Sequence, residues 1–374
     1  MNRLHLHPRI SDIDPAEWNA LAGPQPFVQH AFLAALEDTG CVGEGTGWQP
    51  MHASLCDETG RLLAAMPLYA KQHSYGEFVF DWGWAEASQR AGIPYYPKAL
   101  AAIPFSPVPG ARILAAAPAY RTQLLEAVLV ACGEARLSSL HLLFPDADAR
   151  AAAEALGMHL RRNVQFHWHS AGEADFEAFL GRMSHDKRKK IRQERRKVHD
   201  AGVRLRWLEG KAITEADWAF FYQCYATTYA LHRSTPYLTP AFFMRLGEVL
   251  PQACVLVLAE RESTPIGASL MLRDDTALYG RYWGAVEYVP CLHFEACYYQ
   301  GIEYAITRGL QRFEGGAQGE HKLARGMDPV ETHSLHWLAD PRLDQAVARF
   351  LAHEGNGVAN YIDELAEHRP FRKE

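Results

Sequence analysis

The sequence reads as an α/β protein with mixed sheets, arranged as two tandem units. Three observations carry this reading. The chain has 374 residues, more than one compact domain of ordinary size uses. Its apolar residues alternate between short strand-like runs and helical stripes. One order of elements, two helices, three strands, a helix and a strand, recurs in each half, a repeat of order and not of residues.

In the first half, 15–21 and 29–38 read as helices, the former opened by Asp14-Pro15. Runs 50–56, 62–69 and 76–81 read as strands, with a turn at 57–60. Segment 119–135 is amphipathic, with Leu124, Leu125, Val128 and Leu129 on one face. A strand at 140–144, an alanine-rich helix at 147–156 closed by Gly157, and a strand at 158–169 follow. Between the third strand and the long helix lies 82–112, with Trp82, Trp84, Tyr95, Tyr96, Phe105 and five prolines. A long irregular segment in a compact domain is usually functional or disordered, and these aromatics oppose disorder. It is either a packed surface loop or a wall of a substrate groove, with Asp81 and Trp82 as candidate substrate contacts.

The second half opens on the most charged run, 182–200. Nine residues there are basic: Arg182, Lys187, Arg188, Lys189, Lys190, Arg192, Arg195, Arg196 and Lys197. Met183, Ile191 and Val198 form a narrow apolar line, so one reading is a solvated helix docked along that line. The other is an anion platform in which Arg188, Arg192 and Arg195 grip phosphate, since guanidinium forks match phosphate oxygens. Coenzyme A, a tRNA backbone and a lipid pyrophosphate all fit that chemistry. Strand 203–208 precedes a helix at 214–228 with a capping signature, Thr214 to Asp217. Loop 229–240 brings Arg233, a candidate substrate contact. A helix at 240–250, strands at 254–260, 265–273 and 277–283, a helix at 293–309 and a strand at 310–314 complete the repeat. Two tail helices, 343–353 and 358–365, are separated by Gly355-Asn356-Gly357 and read as docking surface.

The chemistry concentrates in 279–336. Glycines 315, 316 and 319 bare the backbone, while Glu314, Gln318, Glu320, His321 and Lys322 crowd the same loop. Buried charges are costly unless paired, so a purely stabilising core would not choose that mixture. Glu314 and Glu320 are candidate bases. Lys322 and Arg281 are candidates to stabilise developing negative charge, with His321 beside them. The amides of Gly315 and Gly316 suit an oxyanion or phosphate. Tyr282, Trp283, His293, Glu295, Tyr299 and Gln318 complete the candidate substrate contacts. The plainer alternatives are a Glu314–Lys322 ion pair fixing a turn, core packing for Tyr282 and Trp283, and helix caps at His293 and Glu295. A metal is not expected, because no second His or Cys has ligand spacing. A covalent nucleophile is not favoured, since no Gly-x-Ser-x-Gly elbow is present.

A net charge of −6 gives no global reason to bind nucleic acid or membrane, though a local basic patch remains able to do so. Seven scattered cysteines without CxxC spacing suit a reducing compartment. No signal peptide and no spanning run is visible, so a cytoplasmic protein without integral membrane contact is expected.

The run 292–303, Leu-His-Phe-Glu-Ala-Cys-Tyr-Tyr-Gln-Gly-Ile-Glu, followed by Phe313-Glu314-Gly315-Gly316-Ala317-Gln318-Gly319-Glu320-His321-Lys322-Leu323-Ala324-Arg325-Gly326, resembles the FemAB-like N-acyltransferases of peptidoglycan biosynthesis and recognition. The likeness extends over about residues 26–371. It implies two tandem domains of the GCN5-related acetyltransferase (GNAT) fold, expected at 1–168 and at 169–374 with the basic helix and the tail. It also implies transfer of an acyl or aminoacyl group to an amine of a muropeptide-type or small-molecule acceptor. The donor is then aminoacyl-tRNA or acyl-coenzyme A, a substrate and not a tightly bound cofactor. Segment 287–292, Glu-Tyr-Val-Pro-Cys-Leu, lacks the glycines of the Q/R-x-x-G-x-G/A pyrophosphate loop, which disfavours acetyl-coenzyme A more than aminoacyl-tRNA. The rival reading is a non-catalytic module that binds a muropeptide.

Overall fold

The structure is a computed structural model that describes residues 2–317, 319–367 and 369–371, with the side chains of Ala317, Glu320, Asn356, Ala359 and Ala366 left out. The chain divides into two units. The first holds the residues up to Asn163 together with Glu331–Asn360, and the second holds Val164–Val330 together with the chain from Tyr361. The expected boundary at 168/169 falls inside one strand, and most of the tail packs with the first unit.

The first unit contains β1 (Arg3–His7), α1 (Pro15–Ala22), α2 (His30–Asp38), β2 (Trp48–Pro50), β3 (His52–Cys56), β4 (Leu62–Met66), β5 (Leu68–Lys71), α3 (Trp82–Arg90), β6 (Lys98–Ala101), β7 (Leu114–Ala115), α4 (Pro118–Glu134), β8 (Ser139–Leu143), α5 (Ala147–Ala155) and the start of β9 (His159–His169). The second contains α6 (Phe176–Arg182), α7 (His185–Asp200), β10 (Val203–Glu209), α8 (Glu215–Leu231), α9 (Pro240–Val249), β11 (Cys254–Arg261), β12 (Thr264–Arg273), β13 (Ala277–Ala285), α10 (Leu292–Phe294), a π-helical turn (Glu295–Tyr299), α11 (Gln300–Thr307) and β14 (Arg312–Ala317). The chain then forms β15 (Asp328–Leu338) and α12 (Pro341–Glu367).

In the first unit β1-β3-β4-β7 form an antiparallel sheet, and β2-β5-β6-β8-β15 run side by side with β6 parallel to β8. In the second the order is β10-β11-β12-β13-β14-β9, antiparallel except for the β13–β14 pair. Each unit therefore has an antiparallel run, a helical crossover and a parallel strand. This is the mixed α/β, GNAT-like arrangement that the resemblance implies.

Several expected elements differ, each for a local reason. The strand read at 62–69 is two strands, because Pro67 has no N–H to give a ladder, and β4 and β5 join different sheets. Segment 76–81 is not a strand: Gly76 and Phe78 take positive φ and turn Glu77 and Asp81 inward. Segment 82–112 carries α3 and β6. Its Asp81 carboxylate does not cap α3, being engaged by Lys98 and Tyr95. The tail is one helix, α12, that runs through Gly355 and Gly357. Each glycine costs a helix about 1 kcal/mol, and the buried stripe Leu343, Val347, Leu351 and Leu365 offsets it. The basic run is divided, with Arg182 closing α6 and α7 starting after Ser184.

Candidate functional site

In the second unit β13 and β14 stay paired only from Ala277↔Arg312 to Tyr279↔Glu314. Past that point each strand carries an irregularity. On β13, Gly280 faces Met271 and Tyr282 faces Leu270, so Arg281 is the extra residue of a bulge. On β14, Glu314 faces His167 and Ala317 faces Gln165, so Gly315 and Gly316 stand opposite the single residue Phe166. Bulges bend strands and end pairing, and here the two strands part. Glycine is required at both positions. Gly316 has φ of +78°, and a Cβ on Gly315 would lie 2.6 Å from the Met327 Sδ and 3.1 Å from the Phe166 carbonyl oxygen.

A cavity of about 110 Å³ lies at the parting. Arg281, Tyr282 and Trp283 supply its β13 side, Phe313 and Gly315 its β14 side. His293, Cys297 and Tyr298 reach it from the helical segment that follows β13. The π-helical turn sets the register of that segment. Tyr298 lines the cavity, while Glu295 and Tyr299 serve α7 instead. Glu295 accepts from Arg195 at 3.2 Å, and the Tyr299 hydroxyl donates to Glu194. π-turns recur at functional sites because they re-aim side chains within a helix.

The electrostatics of the cavity follow from burial. His293 is lowered to about 4 by burial, then by His321, Lys322 and Arg325, so its imidazole is neutral at pH 7. Lys322 is 4% exposed, and burial lowers its ammonium to about 8. Its Nζ donates to the Gly316 carbonyl at 3.2 Å and stands 6.0 Å from the Tyr298 ring centroid. Burial pushes the Cys297 thiol up to about 12, which removes it as a thiolate nucleophile at neutral pH. The Tyr298 phenol is raised by burial, and its oxygen lies 3.0 Å from Nε2 of the exposed His321. Behind this face Arg325 stacks on Phe294, with 3.5 Å to the ring centroid, and pairs with Glu194 at 2.9 Å.

The family model for FemAB-like proteins, described as peptidoglycan biosynthesis/recognition, matches residues 9–373. This chain belongs to the FemAB-like family. No curated protein matches it. Among solved structures, FemX superposes with a TM-score of 0.54 at 11% identity, covering 90% of this chain and 98% of FemX. A C-terminal domain (DUF2156) described as lysylphosphatidylglycerol synthetase, from Agrobacterium fabrum, gives 0.57 at 9% identity, over 92% of this chain and 96% of that one. L-PGS from Bacillus licheniformis gives 0.52 at 9% identity, over 89% and 99%. At such identities the likeness is one of fold.

Against this FemAB-like frame the expected site residues separate. Arg281, Tyr282, Trp283, His293 and Gly315 line the cavity, and Gly316, His321 and Lys322 stand beside it. Glu314 does not line it. Side chains alternate along a strand, so Phe313 and Gly315 share the cavity face while the Glu314 carboxylate turns to the other and accepts from Arg312 Nε at 2.9 Å. Glu295 and Tyr299 are corrected likewise, as partners of α7. Gln318 and the side chain of Glu320 lie outside the described residues.

Asp81 belongs to the first unit, 1% exposed and engaged by Lys98 and the Tyr95 hydroxyl, and Trp82 follows it as the first residue of α3. Arg233 is exposed on the loop after α8. On α7 Arg192 pairs with Glu177 and Arg195 with Glu295 and Glu303, while Arg188 is only partly buried on the same helix. The reading of Arg195 as a phosphate grip gives way to a structural role, since two carboxylates already take its charge. A groove of about 630 Å³ between α7 and β10 is lined by Arg195 with its partner Glu295, and by Arg196, His199 and Arg204. Among the described residues, no three His, Cys, Asp or Glu side chains are placed to hold a metal ion.

Tyr298, Ser269 and Cys297 were not singled out in the sequence. The π-turn shifts Tyr298 out of ordinary helical spacing, so only the mixed run of tyrosines around it was available as a signal. In the first unit the chain after β6 closes on β8, with Gly110 N–H on the Phe144 carbonyl and Asp146 N–H on the Gly110 carbonyl, both at 3.0 Å, and with Phe105, Val108 and Arg112 buried.

Proposed function

We propose that this FemAB-like protein transfers an acyl or aminoacyl group from an activated ester or thioester to an amine of a peptidoglycan-related acceptor, with the bond made in the cavity between β13 and β14. The observation that carries this reading is the Tyr298–His321 pair, which joins a cavity-lining tyrosine to a solvent-facing imidazole. Acyl transfer to an amine requires an acceptor for the amine proton, a donor for the oxyanion and a proton for the leaving group.

The neutral His293 imidazole accepts a hydrogen bond from the attacking amine, takes its proton as the amine adds and passes that proton on to water. As the C–N bond forms, the ammonium of Lys322 and the fixed charge of Arg281 stabilise the oxyanion. As the C–O or C–S bond breaks, Tyr298 protonates the leaving atom and is reprotonated through His321. Holding both reactants in one small cavity supplies much of the rate.

The donor reading rests on charge. Arg196 and Arg204 give the α7–β10 groove a cationic rim, and segment 287–292 lacks a glycine-rich phosphate loop. A polyanionic aminoacyl-tRNA suits that groove better than acetyl-coenzyme A. The test is to incubate the purified chain with a muropeptide amine and either aminoacyl-tRNA or acyl-coenzyme A, and to look for the amide by mass spectrometry. Product with aminoacyl-tRNA that falls steeply with salt and in R196E/R204E supports the reading. Muropeptide binding with no product from either donor overturns it in favour of a binding module.

A further inference from the structure

The loop 72–83 of the first unit takes no part in the chemistry above, yet it is held with unusual care. Tyr75, Phe80 and Trp82 are 56%, 57% and 37% exposed, and the Tyr75 and Trp82 rings meet edge to face at 4.9 Å. Single exposed aromatics are ordinary, but three on one short loop are not. The two carboxylates of the loop, Glu77 and Asp81, are turned inward, 4% and 1% exposed, onto the fully buried Lys98. Lys98 Nζ also donates to Ser74 at 2.9 Å, and Ser74 bonds the Tyr96 hydroxyl at 2.8 Å. The exposed residues of the loop are Gln72, Tyr75, Phe80, Trp82 and Gly83, none of them charged.

Three carbonyls beneath the aromatics are bonded from within. The Tyr75 carbonyl accepts from Lys71 Nζ at 3.3 Å and Trp48 Nε1 at 3.2 Å. The Phe80 carbonyl accepts from Arg161 Nη1 at 2.9 Å, and the Asp81 carbonyl from the Trp84 and Ala85 amides. Exposed charge opposes entry into a bilayer, and Trp and Tyr favour the headgroup layer, where one end of the ring is wet. A glycan partner would want exposed charged or amide side chains around the rings, and this loop offers only Gln72.

We infer that loop 72–83 is a membrane-interface contact, with Tyr75, Phe80 and Trp82 entering the headgroup layer of a phospholipid bilayer. This is independent of the acyl-transfer reading. The attachment is peripheral, since no helix of the described residues is long and apolar enough to cross a membrane.

The test is co-sedimentation of the full chain with phosphatidylcholine vesicles, whose zero net charge removes any pull from the basic helix. The wild type is expected to partition, and the Y75S/F80S/W82S variant to bind about tenfold more weakly or less, because affinity scales with apolar area inserted. Bromine on the lipid chains near the headgroups should quench the fluorescence component that W82F removes. Absence of wild-type binding, or equal binding by the variant, overturns the inference. Self-association that the variant abolishes, without vesicle binding, also overturns it and makes a second copy of the chain the partner.

Discussion

The Tyr298 hydroxyl lies 3.0 Å from Nε2 of His321, so a residue that lines the cavity is hydrogen-bonded to an exposed one. Removing that hydroxyl should leave binding intact and slow the chemical step. Y298F is expected to lower kcat by about 100-fold with little change in KM, the low end of what one acid–base group supplies. H321A should lower kcat in the same direction, with partial recovery on adding imidazole. The check is steady-state amide formation; unchanged kcat in both variants removes the relay.

Lys322 carries a cost that packing alone does not explain. Burial holds its ammonium at about 8, whereas an unfolded lysine titrates near ~10.4. Between those values the unfolded chain binds the proton more tightly, so stability rises with pH across that window and is penalised below it. K322M is therefore expected to raise the unfolding free energy at pH 7, by roughly 3 kcal/mol at most. That gain should shrink as pH climbs from 8 toward ~10. The same variant should lose turnover, and wild-type kcat should fall as pH rises through about 8 if the ammonium is the acting form. Paired urea titrations and rate profiles from pH 7 to 10 test both signs.

Lys98 holds two buried carboxylates. Burial raises Glu77 to about 7 against the pull of Lys98, while at Asp81 burial, the largest single effect, is outweighed by the charges of Lys98 and His141 and the hydrogen bonds of Lys98 and Ser74 together, which leave the carboxyl at about 2. Removing one partner of a buried ion cluster is far worse than never having built it. K98M should destabilise the protein by about 3–5 kcal/mol. Urea unfolding at pH 7 measures it; a loss under about 1 kcal/mol would show the cluster to be hydrated and not buried.

The elements were legible where one local rule governed them. Asp14 and Thr214 start their helices with side-chain caps, as their positions announce, and strands 254–260, 265–273 and 277–283 reappear nearly to the residue. What escaped depends on partners far along the chain. Nothing near Pro67 says that β4 and β5 join different sheets. Nothing near Glu77 announces Lys98. At the site, the stretch was located but the roles were not. Glu314 stands among the right glycines, yet strand alternation turns it from the cavity, and a π-turn brings Tyr298 in where ordinary helical spacing points elsewhere. Glycines were legible as a cluster, though their reasons differ: Gly316 needs its φ, Gly315 its closeness to Met327.

Gly284 shows how the cavity wall depends on packing behind it. A Cβ there would lie 1.9 Å from the Cys224 carbonyl oxygen and 2.9 Å from Thr228 Oγ1, and the same Thr228 hydroxyl donates to the Trp283 carbonyl at 2.8 Å. Helix α8 thus lies directly on β13, with no room for a methyl group between backbone and backbone. Because the obstacle is a helix carbonyl and not a flexible side-chain end, G284A must lift α8 or push β13 toward the cavity. Overpacking of this kind costs typically ~1–3 kcal/mol, and a backbone clash belongs at the upper end. The displaced strand carries Arg281, Tyr282 and Trp283, so KM should rise as well. Thermal unfolding and substrate titration of G284A against wild type test the two effects together; a variant with unchanged midpoint and KM would mean that α8 does not seat on β13 at this position.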